Sequence, residues 1–239
     1  MIKLNCDLGE QPGQQARDLQ LLQRVDAVSI ACGGHAGNES SARYWAQQAV
    51  FHGKAYHLHL SYPDVENFGR RSLAMSWPQL AISLSSQRAW LPECKTLKLH
   101  GALYNDAAGD NDLSAKLVAW CLENNVDTVL APPGSALERQ SSGKLTVIRE
   151  GFADRAYFLD KGVLALKPRT LSGAVHNDAA KVTHQIQSVL CGRGMPVESG
   201  YHPFSCETWC IHSDSEAVLT LIEAILDYWP KGVAEKTDA

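Results

Sequence analysis

The sequence predicts an α/β chain whose parallel strands close, or nearly close, into a TIM-like barrel. Three observations lead there. Short apolar runs alternate with longer amphipathic stretches along the 239 residues, the pattern of strands and helices wound around a parallel sheet. No Pro- or Gly-rich boundary divides the chain, and a 45% hydrophobic composition supplies one substantial core. Several strands also end in histidine or a carboxylate on their C-terminal side, the end that carries chemistry in β/α barrels.

Strands are expected at 2–7, 27–32, 55–60, 96–100, 128–131, 146–152 and 208–212. Helices are expected at 41–52, 77–91, 113–124, 178–190 and 215–228. The third helix carries Leu113, Leu117, Val118 and Cys121 on one face, and the last carries Val218, Leu221, Ile222, Ile225 and Leu226. One domain over residues 1–229 follows, with a charged, small-residue tail at 230–239 expected to be disordered.

Alternate residues of a strand share a face. The first strand therefore groups Lys3 and Asn5 with Asp7, the third His57 and His59 with Ser61, and the fourth Lys98 with His100. The sixth groups Glu150 with Asp154, and the seventh Cys210 and His212 with Asp214. Each alone has an ordinary explanation. A lone histidine is usually structural, and Asp214, followed by Ser215 and the last helix, also suits a helix cap. Together they converge costly polar groups on one end of the sheet, which suggests a site.

Other functions are disfavoured by composition. A net charge of -4, with no basic run, argues against nucleic-acid binding. No apolar stretch reaches the length of a membrane span, about 20 residues, and the N-terminus enters a strand-like pattern without a secretory signal. Seven scattered cysteines suit reduced packing thiols in a cytoplasmic protein. Cys206 and Cys210 have half the form of a zinc site, with no second pair to complete it.

The motif blocks resemble the LamB/YcsF family, the A subunits of 5-oxoprolinase. Asn5-Cys6-Asp7-Leu8-Gly9-Glu10 is similar to N-x-D-L-G-E, and the segment from Ile30 to Gly37 to I-A-C-G-F-H-A-G. His59 to Asp64, with Asn67-Phe68-Gly69-Arg70, resembles H-P-S-[FY]-P-D followed by N-F-G-R. Lys98 to Asn105 resembles K-P-H-G-x-L-Y-N, and Phe152 to Tyr157 matches F-A-D-R-x-Y. Pro168-Arg169 with Gly173-Ala174 resembles P-R-x-x-x-G-A, and Cys210 to Asp214 resembles C-[LV]-H-G-D. The blocks stand in family order over nearly the whole chain. Departures are Gly34 for Phe, Leu60 and Leu99 for Pro, Ser213 for Gly, and His57 where a small residue is usual. Two extra residues also stand between Gly162 and Pro168.

The resemblance implies a seven-stranded β/α barrel of the glycoside hydrolase/deacetylase type. It implies lactam opening of 5-oxoproline to glutamate, with ATP as co-substrate and with B and C subunits as partners. Consistent with partners, the chain has no G-x-x-x-x-G-K-[ST] phosphate loop. Such chemistry needs an acid or base, an anion cradle and a cation for the substrate carboxylate. Catalytic candidates are Asp7, His35, His59, His100, Asp154 and His212. Substrate-binding candidates are Asn5, Lys98, Arg70, Arg155, Arg169 and Asp214. The glycine-rich turn at Gly33 to Gly37, before a helix capped by Asn38 or Ser40, suits an anion or is simply a tight turn. Asp7 with two or three of His35, His59 and His100 suits a divalent metal, or else forms a metal-free hydrogen-bonded cluster. The loop 62–71 is expected to border the pocket as a lid or subunit contact. Two other readings stay open: a stand-alone metal-dependent deacetylase or amidohydrolase, and a non-catalytic ligand-binding subunit.

Overall fold

The computed structural model describes residues 3–229. The tail expected at 230–239, and the first residue of the first expected strand, lie outside them. Barrel strands in chain order are β1 (Leu4–Leu8), β2 (Ala27–Ala31), β3 (Ala55–Leu60), β4 (Thr96–Leu99), β5 (Thr128–Ala131) and β6 (Thr146–Phe152). Two hairpins follow, β7 (Tyr157–Asp160) with β8 (Val163–Leu166), and β9 (Met195–Val197) with β10 (Gly200–His202). The last barrel strand is β11 (Thr208–Ile211). The helices are α1 (Gln15–Arg24), α2 (Glu39–Phe51), α3 (Trp77–Arg88), α4 (Gly101–Gly109), α5 (Asn111–Glu123), α6 (Ala136–Ser141), α7 (Ala179–Leu190) and α8 (Val218–Tyr228).

Seven strands pair in parallel in the order β1-β11-β6-β5-β4-β3-β2, and β2 returns to β1 to close the ring. Closure leaves no open edge among the seven barrel strands. The outward faces carry Leu4, Cys6, Leu8, Leu58, Leu60, Leu97 and Leu99, all essentially buried. They belong to one core with Trp45 of α2, Leu84 of α3, Leu117 of α5 and Ile222 of α8. Each such aliphatic burial stabilises the fold by ~1.5–3 kcal/mol, so the barrel is held mainly from outside. That leaves the inner face free to be polar.

The expected strands coincide with the seven barrel strands to within two residues at their ends. α1, α4, α6 and both hairpins were not foreseen. α1 is rich in glutamine and arginine and buries few side chains, among them Leu21 and Leu22. The β7–β8 hairpin turns through Lys161 (φ 50°) and Gly162 (φ 84°), the pair of positive φ values of a tight hairpin turn. Its strands are mostly half-buried, and apolar residues follow one another along both of them (Tyr157-Phe158-Leu159, Val163-Leu164-Ala165-Leu166), so no apolar–polar alternation marks them.

Candidate active site

The site is built where the strands end. β3 turns His57 and His59 inward and β4 turns Lys98 inward, each at most 6% exposed. At the floor of the barrel Lys98 Nζ donates to Asp7 Oδ1 (2.8 Å) and Asn5 Oδ1 (3.2 Å), and lies 2.9 Å from Cys210 Sγ. Glu150 Oε1 stands 3.3 Å from the same ammonium and accepts from Asn5 Nδ2 (2.9 Å). Burial opposes the charge on Lys98, but Asp7, Cys210 and Glu150 outweigh it and raise its pKa. Burial likewise opposes ionisation of Asp7, yet Lys98 and His59 hold its carboxyl well below the usual range.

Above this floor lies a second cluster. Glu10 Oε1 is 3.0 Å from His35 Nε2, 3.4 Å from His100 Nδ1 and 3.6 Å from His59 Nε2. His59 Nε2 and His100 Nδ1 are 3.0 Å apart. The rings of His35 and His100 stack at 3.6 Å. Burial opposes a charge on His59, but Asp7 and Glu10 prevail and lift it to about 9. Burial pushes His35 and His100 down, the latter further because His35 lies against it. Glu10, His35, His59 and His100 form a group able to hold a metal ion, their ligand atoms lying within 4.8 Å of one another. The carboxylate in this group is Glu10, in place of the expected Asp7. The ammonium of Lys98 draws Asp7 towards the floor, 3.5 Å from His59.

A third unit sits beside these. His212 Nδ1 is 2.9 Å from Asp154 Oδ1, and the His212 backbone N–H donates to Asp154 Oδ2 (3.1 Å). Phe152 stacks on the His212 ring. Burial would raise Asp154, but His212 more than compensates and lowers it. Arg70 and Arg169 both pair with Asp214, the latter at 3.2 Å. Asp214 therefore does not cap the last helix, which starts after Ala217. Arg155 is mostly buried and donates to the carbonyls of Lys167 (2.7 Å) and Ala174 (3.2 Å). Its guanidinium is committed to bracing that loop, not to the rim that holds Arg70 and Arg169.

The loop 62–71 covers the histidines. Phe68 (φ 54°) sends its carbonyl 2.9 Å from His100 Nε2, and its ring packs edge-on against His35 and His100. Gly69 (φ 62°) is required twice over: a Cβ there would lie 2.9 Å from His35 Cβ and 3.0 Å from His100 Cδ2. At α2 the cap is Asn38, whose side chain accepts from Ser41 N (2.9 Å). The unusual Gly34 is explained by its neighbours, since a Cβ would come within 2.4 Å of Ser61 Oγ and 2.5 Å of Gln87 Oε1.

Sequence reading missed Glu10 and the Phe68 carbonyl as site groups, and it placed Glu150 on the inner face without giving it a role. Glu10 follows the strand across Gly9 (φ 74°), where the alternating rule no longer applies. Its only signal was its place in the first motif block.

The LamB/YcsF family profile matches residues 2–234. The chain belongs to the LamB/YcsF family. A relative from Pseudomonas aeruginosa, named as the third 5-oxoprolinase A subunit of that organism, is 36% identical over 246 residues, covering 95% of this chain and 96% of that one. One from Acinetobacter baumannii, named as a 5-oxoprolinase A subunit, is 34% identical over 237 residues, covering 94% and 92%. The crystal structure of a lactam utilization protein from Thermus thermophilus is similar at 26% identity with a TM-score of 0.78, covering 95% and 96% of the two chains. Among the described residues no helix is long and apolar enough to cross a membrane.

Proposed function

We propose that this LamB/YcsF chain is the A subunit of a 5-oxoprolinase, opening the lactam of 5-oxoproline to glutamate with ATP as co-substrate and B- and C-type subunits as partners. The observation that carries the reading is a buried histidine–carboxylate centre beside an arginine-bearing rim, in a chain whose full-length relatives bear that name. The lactam carbon resists water because the amide is resonance-stabilised. Transfer of the γ-phosphoryl group of ATP to the lactam oxygen makes that carbon electrophilic. Water then adds, the C–N bond breaks with the nitrogen taking a proton, and an acyl phosphate remains. A second water releases phosphate and gives glutamate.

Several groups suit these steps. Asp154 holds His212 with Nδ1–H towards the carboxylate, leaving Nε2 with the lone pair a general base needs. Arg70 and Arg169, already converging on one carboxylate at Asp214, suit the carboxylate of the substrate. Asn5, Lys98 and Asp7 hold the floor of the site, and His35, His59 and His100 stand where a proton is taken or returned. Three imidazoles and one carboxylate oxygen also fit a divalent ion, held by Glu10, His35, His59 and His100. Such an ion supplies Lewis acidity when bound.

The test is glutamate formation from 5-oxoproline with each subunit, and ATP, omitted in turn. The reading expects loss of turnover whenever this chain or ATP is left out. Amide hydrolysis by the isolated chain, indifferent to ATP, would select the deacetylase-type alternative. Full turnover without this chain would select the non-catalytic one.

A further inference from the structure

The hydrogen bonds on the outer side of the three histidines say what their inner side is for. His100 Nε2 faces the Phe68 carbonyl at 2.9 Å and His59 Nδ1 faces the Lys98 carbonyl at 3.2 Å. A carbonyl only accepts, so both nitrogens carry their hydrogen there. His35 Nδ1 is 3.1 Å from Ser61 Oγ, whose single hydrogen goes to the Tyr62 carbonyl at 2.8 Å. Ser61 therefore accepts from His35 as well. In the neutral form all three rings turn a lone pair towards Glu10.

The inner contacts then join acceptors to acceptors. His59 Nε2 and His100 Nδ1 are 3.0 Å apart, and His35 Nε2 and Glu10 Oε1 are also 3.0 Å apart. Buried acceptors at such distances repel unless something positive lies between them. Two protons satisfy these two contacts, and so does one dication. Glu10, His35, His59 and His100 are each at most 6% exposed, so bulk water is a poor substitute.

We propose that Ser61 and the main-chain carbonyls of Lys98 and Phe68 lock the three histidines in their metal-accepting tautomers, making Glu10, His35, His59 and His100 a site for an imidazole-preferring dication of the Zn²⁺ class. The proposal deepens the active-site reading above and shares its cluster. Imidazole-rich donor sets favour Zn²⁺ and its transition-metal neighbours, whereas Mg²⁺ and Ca²⁺ favour oxygen and water. The three acceptors are the outer shell that fixes ring orientation at metal sites. One lies on the covering loop, so the loop and the ion are coupled: displacing Phe68 removes the acceptor that sets the tautomer of His100. Ser61 is itself held in place, its N–H donating to Gln87 Oε1 (3.1 Å) and its carbonyl accepting from Gln87 Nε2 (2.9 Å).

The experiment needs neither substrate, ATP nor partner subunits, so its failure is distinguishable from failure of the lactam reading. The chelator-stripped full chain is titrated with Zn²⁺, Co²⁺ and Mg²⁺, reading ions bound per chain, the visible d–d spectrum of Co²⁺, and melting temperature. One Zn²⁺ or Co²⁺ per chain is expected, with the intense visible bands of a low-coordinate site, raised melting temperature, and far weaker Mg²⁺ binding. His59→Ala should abolish binding; the near-isosteric Glu10→Gln serves the same purpose if His59→Ala fails to fold. Ser61→Ala should weaken Zn²⁺ by ~10–100-fold while the metal-free melting temperature stays close to wild type. Absence of a bound transition ion in the wild-type chain would overturn the site. Equal binding by the His59→Ala or Glu10→Gln chain would place the ion elsewhere, for instance on thiols, and overturn it too. Undiminished affinity in Ser61→Ala would overturn the tautomer lock.

Discussion

The floor of the barrel and the cluster at its mouth are equally buried, yet they are different kinds of polar interior. On the floor, donors meet acceptors: one ammonium, Lys98, is shared by Asp7, Asn5 and Glu150, and the Asn5 amide bridges to Glu150 and Thr208. At the mouth, Glu10 and three neutral imidazoles would bring acceptors against acceptors, so a proton or a cation has to lie between them. Burial alone therefore does not distinguish a structural network from a site. The balance of donors and acceptors does.

Substitutions at the two levels should fail in different ways. The largest expected effect is on rate, beside the mouth: His212→Ala should cost ~10²–10⁴-fold in lactam opening. Its melting temperature should stay near that of the wild type, because the ring is partly exposed and its main partner, Asp154, keeps a backbone donor. Glutamate formation and a melting curve on the same preparation check this. A loss of turnover that only follows the folded fraction would erase the distinction.

On the floor, Lys98→Met should act on stability first. It leaves Asp7 and Glu150 buried without their cation, a change expected to cost about 3–5 kcal/mol. Chemical denaturation of variant and wild type reads it directly. A well-folded Lys98→Met chain would mean the floor is less tightly balanced than its distances indicate.

Gly69→Ala probes the boundary between loop and cluster. A left-handed backbone and a Cβ against His35 and His100 should cost about 1–3 kcal/mol. Faster proteolysis within the loop, with the barrel intact, is the expected signature. Unchanged cleavage there would show that the loop absorbs the extra atom.

The smallest effect lies just outside both levels, at Asp18, which accepts from the Gly9 N–H at 3.1 Å and so holds the turn that presents Glu10. Burial pushes its carboxyl up to about 6 from its ordinary value of 3.8. Between those values the unfolded chain loses a proton that the folded chain keeps, so this group makes stability fall as pH rises. Below the window it imposes no penalty, and above it the penalty is constant. Asp18→Asn keeps an acceptor for Gly9 and should gain about 1 kcal/mol at neutral pH, allowing for partial solvent screening. The gain should fade as pH falls from about 6 to about 4, as melting temperatures of both chains across that range would record. A gain that persists at the acid end would assign it to another cause.

Much of this architecture is legible in the sequence. The alternation in Ala55–Leu60 separates His57 and His59 from Leu58 and Leu60, and the same rule works at Lys98 between Leu97 and Leu99. It works because a residue's side in a strand depends only on its position in that strand. The α1 helix escaped because its polar surface hides a short apolar stripe. The β7–β8 hairpin escaped because its short, half-buried strands carry apolar residues on successive positions and so show no period of two.

The sequence by itself therefore determined which residues face inward and which strands carry them, since side-chain parity is a local property of the backbone. Only the tertiary structure decided who meets whom. Whether Asp7 or Glu10 joins the histidines depends on where Lys98 reaches across the barrel, from a residue 91 positions away in the chain. Whether Arg155 or Arg169 reaches Asp214 depends on which loop carbonyls claim a guanidinium first. Such choices are made by donor–acceptor balance in a closed space, and that space exists only once the seventh strand has closed the ring.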